Sequence, residues 1–284
     1  MTLYLRFPML LICLTLCALP GRADGILVPV APEFSPPILS ADPLPSAVYS
    51  AEDVAIEGEF SAWGTSCDMQ LRAEPEPGGM FYVSLQAPCA RSRVFDLAWS
   101  GLRVSYQTSV TGAFTAHLPA LETHSDVQVF IDNTPVLHTS VEVSDVPEYL
   151  RAGINWQNDT PFALHALEFG ADFMAAGHVH AGNPVSHRGG RLFMLGDGAV
   201  MNGQRAAIYS IHKDQDTSGA VRLLIETSVS SENCDQARGA DILQRTTPDA
   251  PISQPLLVPA PGCNSGETSV WLRHVLHDFN LTGK

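Results

Sequence analysis

Six short segments between residues 80 and 143 decide the fold class: FYVSL (81–85), RVFDLAW (93–99), LRVSY (102–106), FTAHL (114–118), VQVFI (127–131) and VLHTSVEV (136–143). They are rich in β-branched and aromatic residues, and several alternate polar with apolar positions. Turn residues separate them at short intervals. This pattern predicts a mainly β protein with an antiparallel, sandwich-like architecture and few short helices.

Strand-like segments continue after residue 148, again with glycine-rich turns. They include RLFML (191–195), AAIYSI (206–211) and VRLLIETSV (221–229). Two other segments, 161–176 and 269–279, fit a helix or a strand equally well, because their apolar residues satisfy both periods. We expect a β-sandwich domain over residues 54–147 and a second β-rich domain over residues 148–284.

The N-terminus has the features of a secretory signal. Arg6 supplies a short positive region, and the apolar run 7–19 is too short to cross a bilayer unaided. Small residues suit cleavage near Ala23, so we expect residues 1–23 to be a signal peptide and the mature protein to be periplasmic or secreted. The proline-rich segment 24–53 is expected to be an extended arm, because proline fixes φ and removes a hydrogen-bond donor.

The charge balance narrows the range of partners. The chain has 16 basic and 30 acidic residues and a formal net charge of −14. Such a surface repels nucleic acid and anionic lipid. No segment after the signal has the ~20 consecutive apolar residues of a spanning helix. We therefore expect an unknown envelope protein or a small ligand as the partner.

Four cysteines remain once Cys13 and Cys17 leave with the signal, and an even number in an oxidising compartment predicts two structural disulfides. Three pairings are possible. A weak internal repeat favours one of them, since each of its copies has Cys-Asp followed by a long excursion and then Ala-Pro-(Gly)-Cys. If each copy closes its own loop, the pairs are Cys67–Cys89 and Cys234–Cys263.

Several motifs together resemble a known family. They are the Cys-Asp…Ala-Pro-Cys half, LHALEFGA (164–171), GHV (177–179), LGD (195–197) and NC (233–234). With these motifs the chain is similar to a family of uncharacterised exported proteins of alphaproteobacteria, some of which carry the label "translocase". The resemblance covers most of residues 60–280. It implies an envelope location, and it implies no chemistry and no functional residues.

The segment TPFALHALEFGADFMAAGHVHAGNP (160–184) holds three of the ten histidines. His165, Glu168, His178 and His180 are a candidate site for zinc or another divalent metal, because a catalytic zinc needs three such ligands and an open position. His178 and His180 share a face on a strand. His165 and Glu168 share a face only on a helix. Whatever their role, we expect both residues to be buried and paired with polar groups.

Known catalytic motifs are incomplete in this chain. Gly177-His-Val-His180 matches the Gly-His-X-His element of calcineurin-like metallophosphoesterases, yet the chain has no Asp-X-His. His-Glu-X-X-His, the nucleophile elbow and the phosphate loop are absent too. We therefore assign no catalytic residue and no cofactor, and expect an exported binding or accessory protein of the cell envelope. The alternative is a divalent-metal-dependent hydrolase centred on residues 165–180.

Overall fold

The structure of the chain is a computed structural model. It describes residues 60, 64, 66–157, 162–214, 216–245 and 252–283. These residues belong to one compact unit. The predicted signal peptide, 1–23, and the predicted proline-rich arm, 24–53, lie outside the described residues.

The first half of the described chain forms two antiparallel sheets. Sheet I has the order β1 (Gln70–Glu76), β2 (Met80–Gln86), β5 (Ala113–Pro119), and sheet II has the order β4 (Leu102–Gln107), β3 (Val94–Trp99), β6 (His124–Ile131), β7 (Thr134–Glu142). In β2 every second residue, Phe81, Val83 and Leu85, is fully buried. This period of two is the alternation read from the sequence.

The second half forms two further antiparallel sheets. Sheet III has the order β11 (Arg191–Leu195), β12 (Gln204–His212), β8 (Tyr149–Gln157), β14 (Arg238–Arg245), β15 (Ile252–Val258). Sheet IV has the order β10 (His178–Val179), β9 (Phe162–Glu168), β13 (Gly219–Ser228), β16 (Ser269–Arg273), and β17 (Phe279–Leu281) also pairs with β13. The described residues contain one helix, a 3₁₀ turn at Val146–Glu148. The prediction of a mainly β, antiparallel fold is confirmed.

Sheet III is the central layer of the unit. Ala206 and Ile208 of β12 belong to the core that sheets I and II share, whereas Ala207 and Tyr209 belong to the core beneath sheet IV. Because successive strand residues point to opposite faces, one strand supplies both cores. The predicted domain boundary near residue 147 stays a prediction. Sheets I and II, before this residue, share one hydrophobic core with sheet III, after it.

The two segments that fitted a helix or a strand are strands followed by turns. Residues 162–168 form β9, which pairs with β13 from Phe162 to Glu168 and with β10. Residues 269–273 form β16 at the edge of the same sheet. β9 is buried on both faces, so it lacks the polar alternation that marks a half-exposed strand.

Both predicted disulfides are present. Cys67 bonds to Cys89 and Cys234 bonds to Cys263, with sequence separations of 22 and 29 residues. Each bridge closes a loop within its own half of the chain, as the internal repeat indicates. A disulfide that closes a loop of this length stabilises the folded state by about 3 kcal/mol, if the effect comes from the lower entropy of the unfolded chain.

The side chain of Arg151 joins sheet III to sheet I. It is 1% exposed, and its guanidinium donates to the carbonyl oxygens of Gly78, Gly79 and Ala120, while its Nε donates to Ser210 Oγ at 3.0 Å. The bonds to Gly78 and Gly79 measure 2.8 and 2.7 Å. A single buried cation therefore holds the β1–β2 turn and the end of β5 against β8.

The glycine turn is built around this cation. The Asp145 carboxylate accepts the backbone N–H groups of Gly78 and Gly79, both at 2.9 Å, on the opposite side of the peptide from Arg151. Gly79 has φ +65°, and a Cβ there would lie 2.6 Å from Arg151 Nη2. Burial lowers the pKa of Arg151 to about 10, although the neighbouring Tyr149 and Asp145 oppose this shift. Arg151 stays charged at neutral pH.

We predict that Arg151→Met lowers the free energy of unfolding by roughly 3 kcal/mol, because three backbone carbonyl oxygens lose a hydrogen bond from a charged donor. Urea denaturation followed by tryptophan fluorescence measures the change. Arg191→Met, at an exposed arginine of β11, is the matched control and should alter stability little. Equal stability of the two variants would contradict the role given to Arg151.

Candidate functional site

The predicted site residues divide between the two faces of sheet IV. His165 and Glu168 are three positions apart on β9, so their side chains point in opposite directions. His165 lies on the outer face with His178 and His180. Glu168 lies on the inner face, against sheet III. The structure therefore brings the three histidines together and places the carboxylate elsewhere.

Glu168 is a fully buried residue of the interior. Its two carboxylate oxygens accept hydrogen bonds from Ser186 Oγ at 2.5 Å and from the Tyr209 hydroxyl at 2.7 Å. A Cβ at Gly190 would lie 1.7 Å from the carboxylate, so only glycine fits there. Burial raises the pKa of Tyr209, and the charge of Glu168 raises it further. The expectation of a buried, polar-paired Glu168 is confirmed, with hydroxyl groups as the donors.

The three histidines form a stack on the outer face. His165 Nδ1 and His178 Nε2 are 2.9 Å apart, and the ring centroids of His178 and His180 are 4.3 Å apart. His165 and His178 are 8% and 3% exposed, respectively. The β9–β10 pairing sets this arrangement by placing His178 opposite Leu167, diagonal to His165.

Hydrogen-bond directions assign the histidine tautomers. The Met174 N–H donates to His178 Nδ1 at 3.0 Å, so that nitrogen is an acceptor. A neutral His178 then carries its proton on Nε2 and donates it to His165 Nδ1. His165 is left with its proton on Nε2, which lies 3.3 Å from Glu226 Oε2 but outside hydrogen-bonding alignment. The hydrogen bonds therefore run in one direction, from the Met174 N–H through His178 to His165.

The surroundings favour neutral imidazoles. Burial is the largest of three effects that lower the pKa of His178 to about 4, and the neighbouring His180 and His165 supply the other two. Burial also lowers the pKa of His165, with Glu226 opposing the effect. A stacked, uncharged pair of imidazoles is thus the ground state at neutral pH.

The geometry of the ligand atoms bears on metal binding. Among the described residues, the only group of three such atoms that lie within 4.8 Å of one another is Cys234, Asp235 and Cys263, and its two cysteines form a disulfide. Nitrogen atoms of His165, His178 and His180 do not converge to this extent. If these histidines hold an ion, their rings must first rotate.

Aromatic side chains complete the outer face, and sequence patterns alone did not single them out. Trp271 of β16 lies 5.0 Å from His165 and 5.0 Å from Phe173, measured between ring centroids. Phe173 is 43% exposed and Met174 is 83% exposed. These residues come from distant parts of the chain, and the β9–β13–β16 register brings them together.

A cleft of about 310 Å³ adjoins the histidine stack on the same face. Leu167 and Leu224 line it, Phe173 stands between it and the stack, and Arg222 and Arg273 flank it. Neither arginine forms an ion pair with a described residue. Two aspartates also line the cleft, and one of them, Asp278, accepts the backbone N–H of Leu223 at 3.1 Å.

Comparisons with family models, with curated proteins and with solved structures find no match to this chain. Within the described residues no helix is long and apolar enough to cross a membrane.

We predict that Glu168→Ala destabilises the protein more than Glu168→Gln. Alanine leaves a hole and two buried hydroxyl groups without their acceptor, at a cost of about 3 kcal/mol, whereas glutamine keeps the volume and one acceptor oxygen. Thermal melting of the two variants beside the wild type measures the difference. Wild-type melting of Glu168→Ala would contradict the buried position.

We predict that His178 makes stability depend on pH between about 6.5 and 4. The folded-state pKa is depressed, so the unfolded chain binds the extra proton in this window and stability falls as pH falls through it, by on the order of 2–3 kcal/mol. His178→Gln should remove this part of the slope. His124→Gln, at an exposed histidine, is the control and should keep it. Urea denaturation at half-unit pH steps gives both slopes, and identical slopes would contradict the assignment.

Proposed function

We propose that the chain is an exported binding or accessory protein of the cell envelope, and that it binds a small ligand on the outer face of sheet IV. The export signal at residues 1–23 and the family resemblance support the location. Two disulfides are compatible with it, since such bonds persist in oxidising compartments.

One observation determines the chemical class of ligand that we propose. Arg222 and Arg273, which form no ion pair with a described residue, flank a cleft lined by Leu167 and Leu224 in a chain with a net charge of −14. Asp172 and Asp278 also line the cleft, so recognition of an anion rests on the directional hydrogen bonds that guanidinium groups form with a carboxylate. The leucines and Phe173 favour an apolar body. The ligand that fits is a small organic anion, most simply an apolar carboxylate.

The size of the cleft suits such a ligand. Its volume of about 310 Å³ is at the lower end of the range for small-molecule sites, roughly 300–1,000 Å³. The neutral histidine stack supplies a rigid wall beside it, because His165 and His178 are held by hydrogen bonds at fixed positions. Phe173 contacts both the stack and the cleft and is placed to pack on the ligand.

The alternative, a divalent-metal-dependent hydrolase centred on residues 165–180, has less support from this geometry. Glu168 is bonded to Ser186 and Tyr209 on the inner face, and the three imidazoles do not direct their nitrogens to one point. A general base and an open metal position are the parts that such an enzyme needs. In this arrangement His165, Glu168, His178 and His180 supply neither a general base nor an open metal position.

The test uses 11-(dansylamino)undecanoic acid as a fluorescent apolar carboxylate. We expect saturable binding with energy transfer from Trp271 to the dansyl group, and displacement by undecanoate but much weaker displacement by undecanol. The Arg222→Gln/Arg273→Gln double variant should bind at least about tenfold more weakly, since each lost charged hydrogen bond contributes more than a neutral one.

Arg191→Gln, at an exposed arginine of sheet III, is the matched control and should bind as the wild type does. Displacement by undecanol as strong as that by undecanoate would exclude recognition of the acid group. Unchanged binding by the double variant, or no saturable binding by the wild type, would contradict the proposed site.

A further inference from the structure

A second concave surface lies on sheet III, away from the histidine stack. It is a groove of about 720 Å³, lined at its centre by Gln157, Gln204, Gly239, Asp241 and Leu257. Among the described residues, none before position 155 lines it. The groove therefore occupies the end of the central sheet that sheets I and II leave uncovered.

Asn155 marks the edge of the part of sheet III that sheet II covers. Its side-chain amide donates to the carbonyl oxygens of Arg103 in β4 and Arg205 in β12, at 2.9 and 2.8 Å. Beyond this point along β8, the next residue on the same face is Gln157, which is exposed. Sheet II stops where the groove begins.

The groove owes its depth to a missing side chain. Gly239 lies opposite Leu257 in the β14–β15 register, and a Cβ at Gly239 would meet no atom within 4 Å. Leu257 is 72% exposed and forms an apolar wall. The backbone of Gly239 thus forms an open floor between the amide of Gln157 and the side chain of Leu257.

The polar groups of the groove are free to bind a ligand. The side-chain amides of Gln157, Gln204 and Gln236 make no hydrogen bond to a described residue. Asp241 is exposed and forms no ion pair among the described residues. An amide offers both donors and an acceptor, and a carboxylate offers acceptors, so together they match groups that both donate and accept, as hydroxyls do.

The arginine beside the groove is buried, and both of its terminal nitrogens are hydrogen-bonded, whereas its Nε has no partner among the described residues. Arg238 is 5% exposed, and its guanidinium donates to Thr227 Oγ1 at 2.9 Å and to Asn233 Oδ1 at 2.7 Å. Among the described residues that line the groove, Arg238 is the only cation and it is buried, whereas Asp241 is exposed and adds a negative charge. An anionic ligand is therefore disfavoured here, in contrast to the cleft on sheet IV.

We propose that this groove binds a neutral oligosaccharide. The three amides and Asp241 are suited to sugar hydroxyl groups, and Leu257 with Pro255 is suited to the apolar face of a sugar ring. The groove and the sheet IV cleft share no lining residue, so this proposal stands apart from the ligand proposed for that cleft.

The test starts from an array of oligosaccharides that includes chitotetraose, cellotetraose, maltotetraose and their acidic counterparts. We expect the purified chain to retain at least one neutral glycan, whose affinity is then measured by isothermal titration calorimetry. Retention of acidic glycans in preference to neutral ones, or retention of none, would overturn the proposal.

Two variants test whether the oligosaccharide binds in the groove. Gly239→Leu adds a side chain at a position where a Cβ would meet no atom within 4 Å and where φ is not positive, so it should keep the wild-type unfolding midpoint and weaken binding at least about tenfold. Gln157→Ala/Gln204→Ala should weaken it to a similar extent by removing two hydrogen-bonding groups. Gln128→Ala, at an exposed glutamine of β6, is the control and should bind normally. Wild-type affinity in the folded Gly239→Leu variant would overturn the assignment.

Discussion

The guanidinium of Arg151 is the interaction that attaches sheet I to the central sheet III. It is a buried cation whose hydrogen bonds all go to neutral oxygen atoms, and three of these are backbone carbonyls in or beside the strands of sheet I. Such a group is costly to bury and is retained where its hydrogen bonds hold two parts of a structure in one register. Here it attaches the glycine turn at Gly78 and Gly79 to the central sheet. The strand that carries it, β8, then has both faces buried.

A central sheet with two covered faces determines where ligands can bind. Sheet IV has its inner face in the core with Tyr209 and Glu168, so its outer face is left to the histidine stack and the adjoining cleft. Sheet III is covered by sheets I and II only as far as Asn155, and the second groove begins there. Both candidate sites are therefore surfaces that the layered packing leaves open. Their chemistries differ, since the cleft presents unpaired arginines and the groove presents amides.

Sequence patterns predicted the half-exposed strands and missed the organisation of the site. Residues 81–85 alternate because one face of β2 meets the core, whereas residues 162–168 are buried on both faces and carry no such signal. The helix-or-strand ambiguity there also left the relation of His165 to Glu168 undecided. Trp271 joins the same face through the long-range register of β9, β13 and β16, for which no local pattern exists. The repeat around the cysteines, by contrast, was local enough to indicate the pairing.

The most direct test of the site is the protonation state of its histidines, read by long-range ¹H–¹⁵N correlation spectra of the imidazole rings. The hydrogen-bond directions predict that His165 and His178 are both neutral at pH 7 with the proton on Nε2, and that His178 does not titrate above about pH 5. Assignment of the ring signals by His178→Gln identifies each residue. A proton on Nδ1 of His178, or a charged His178 at pH 7, would contradict the neutral, hydrogen-bonded stack and the binding face built on it.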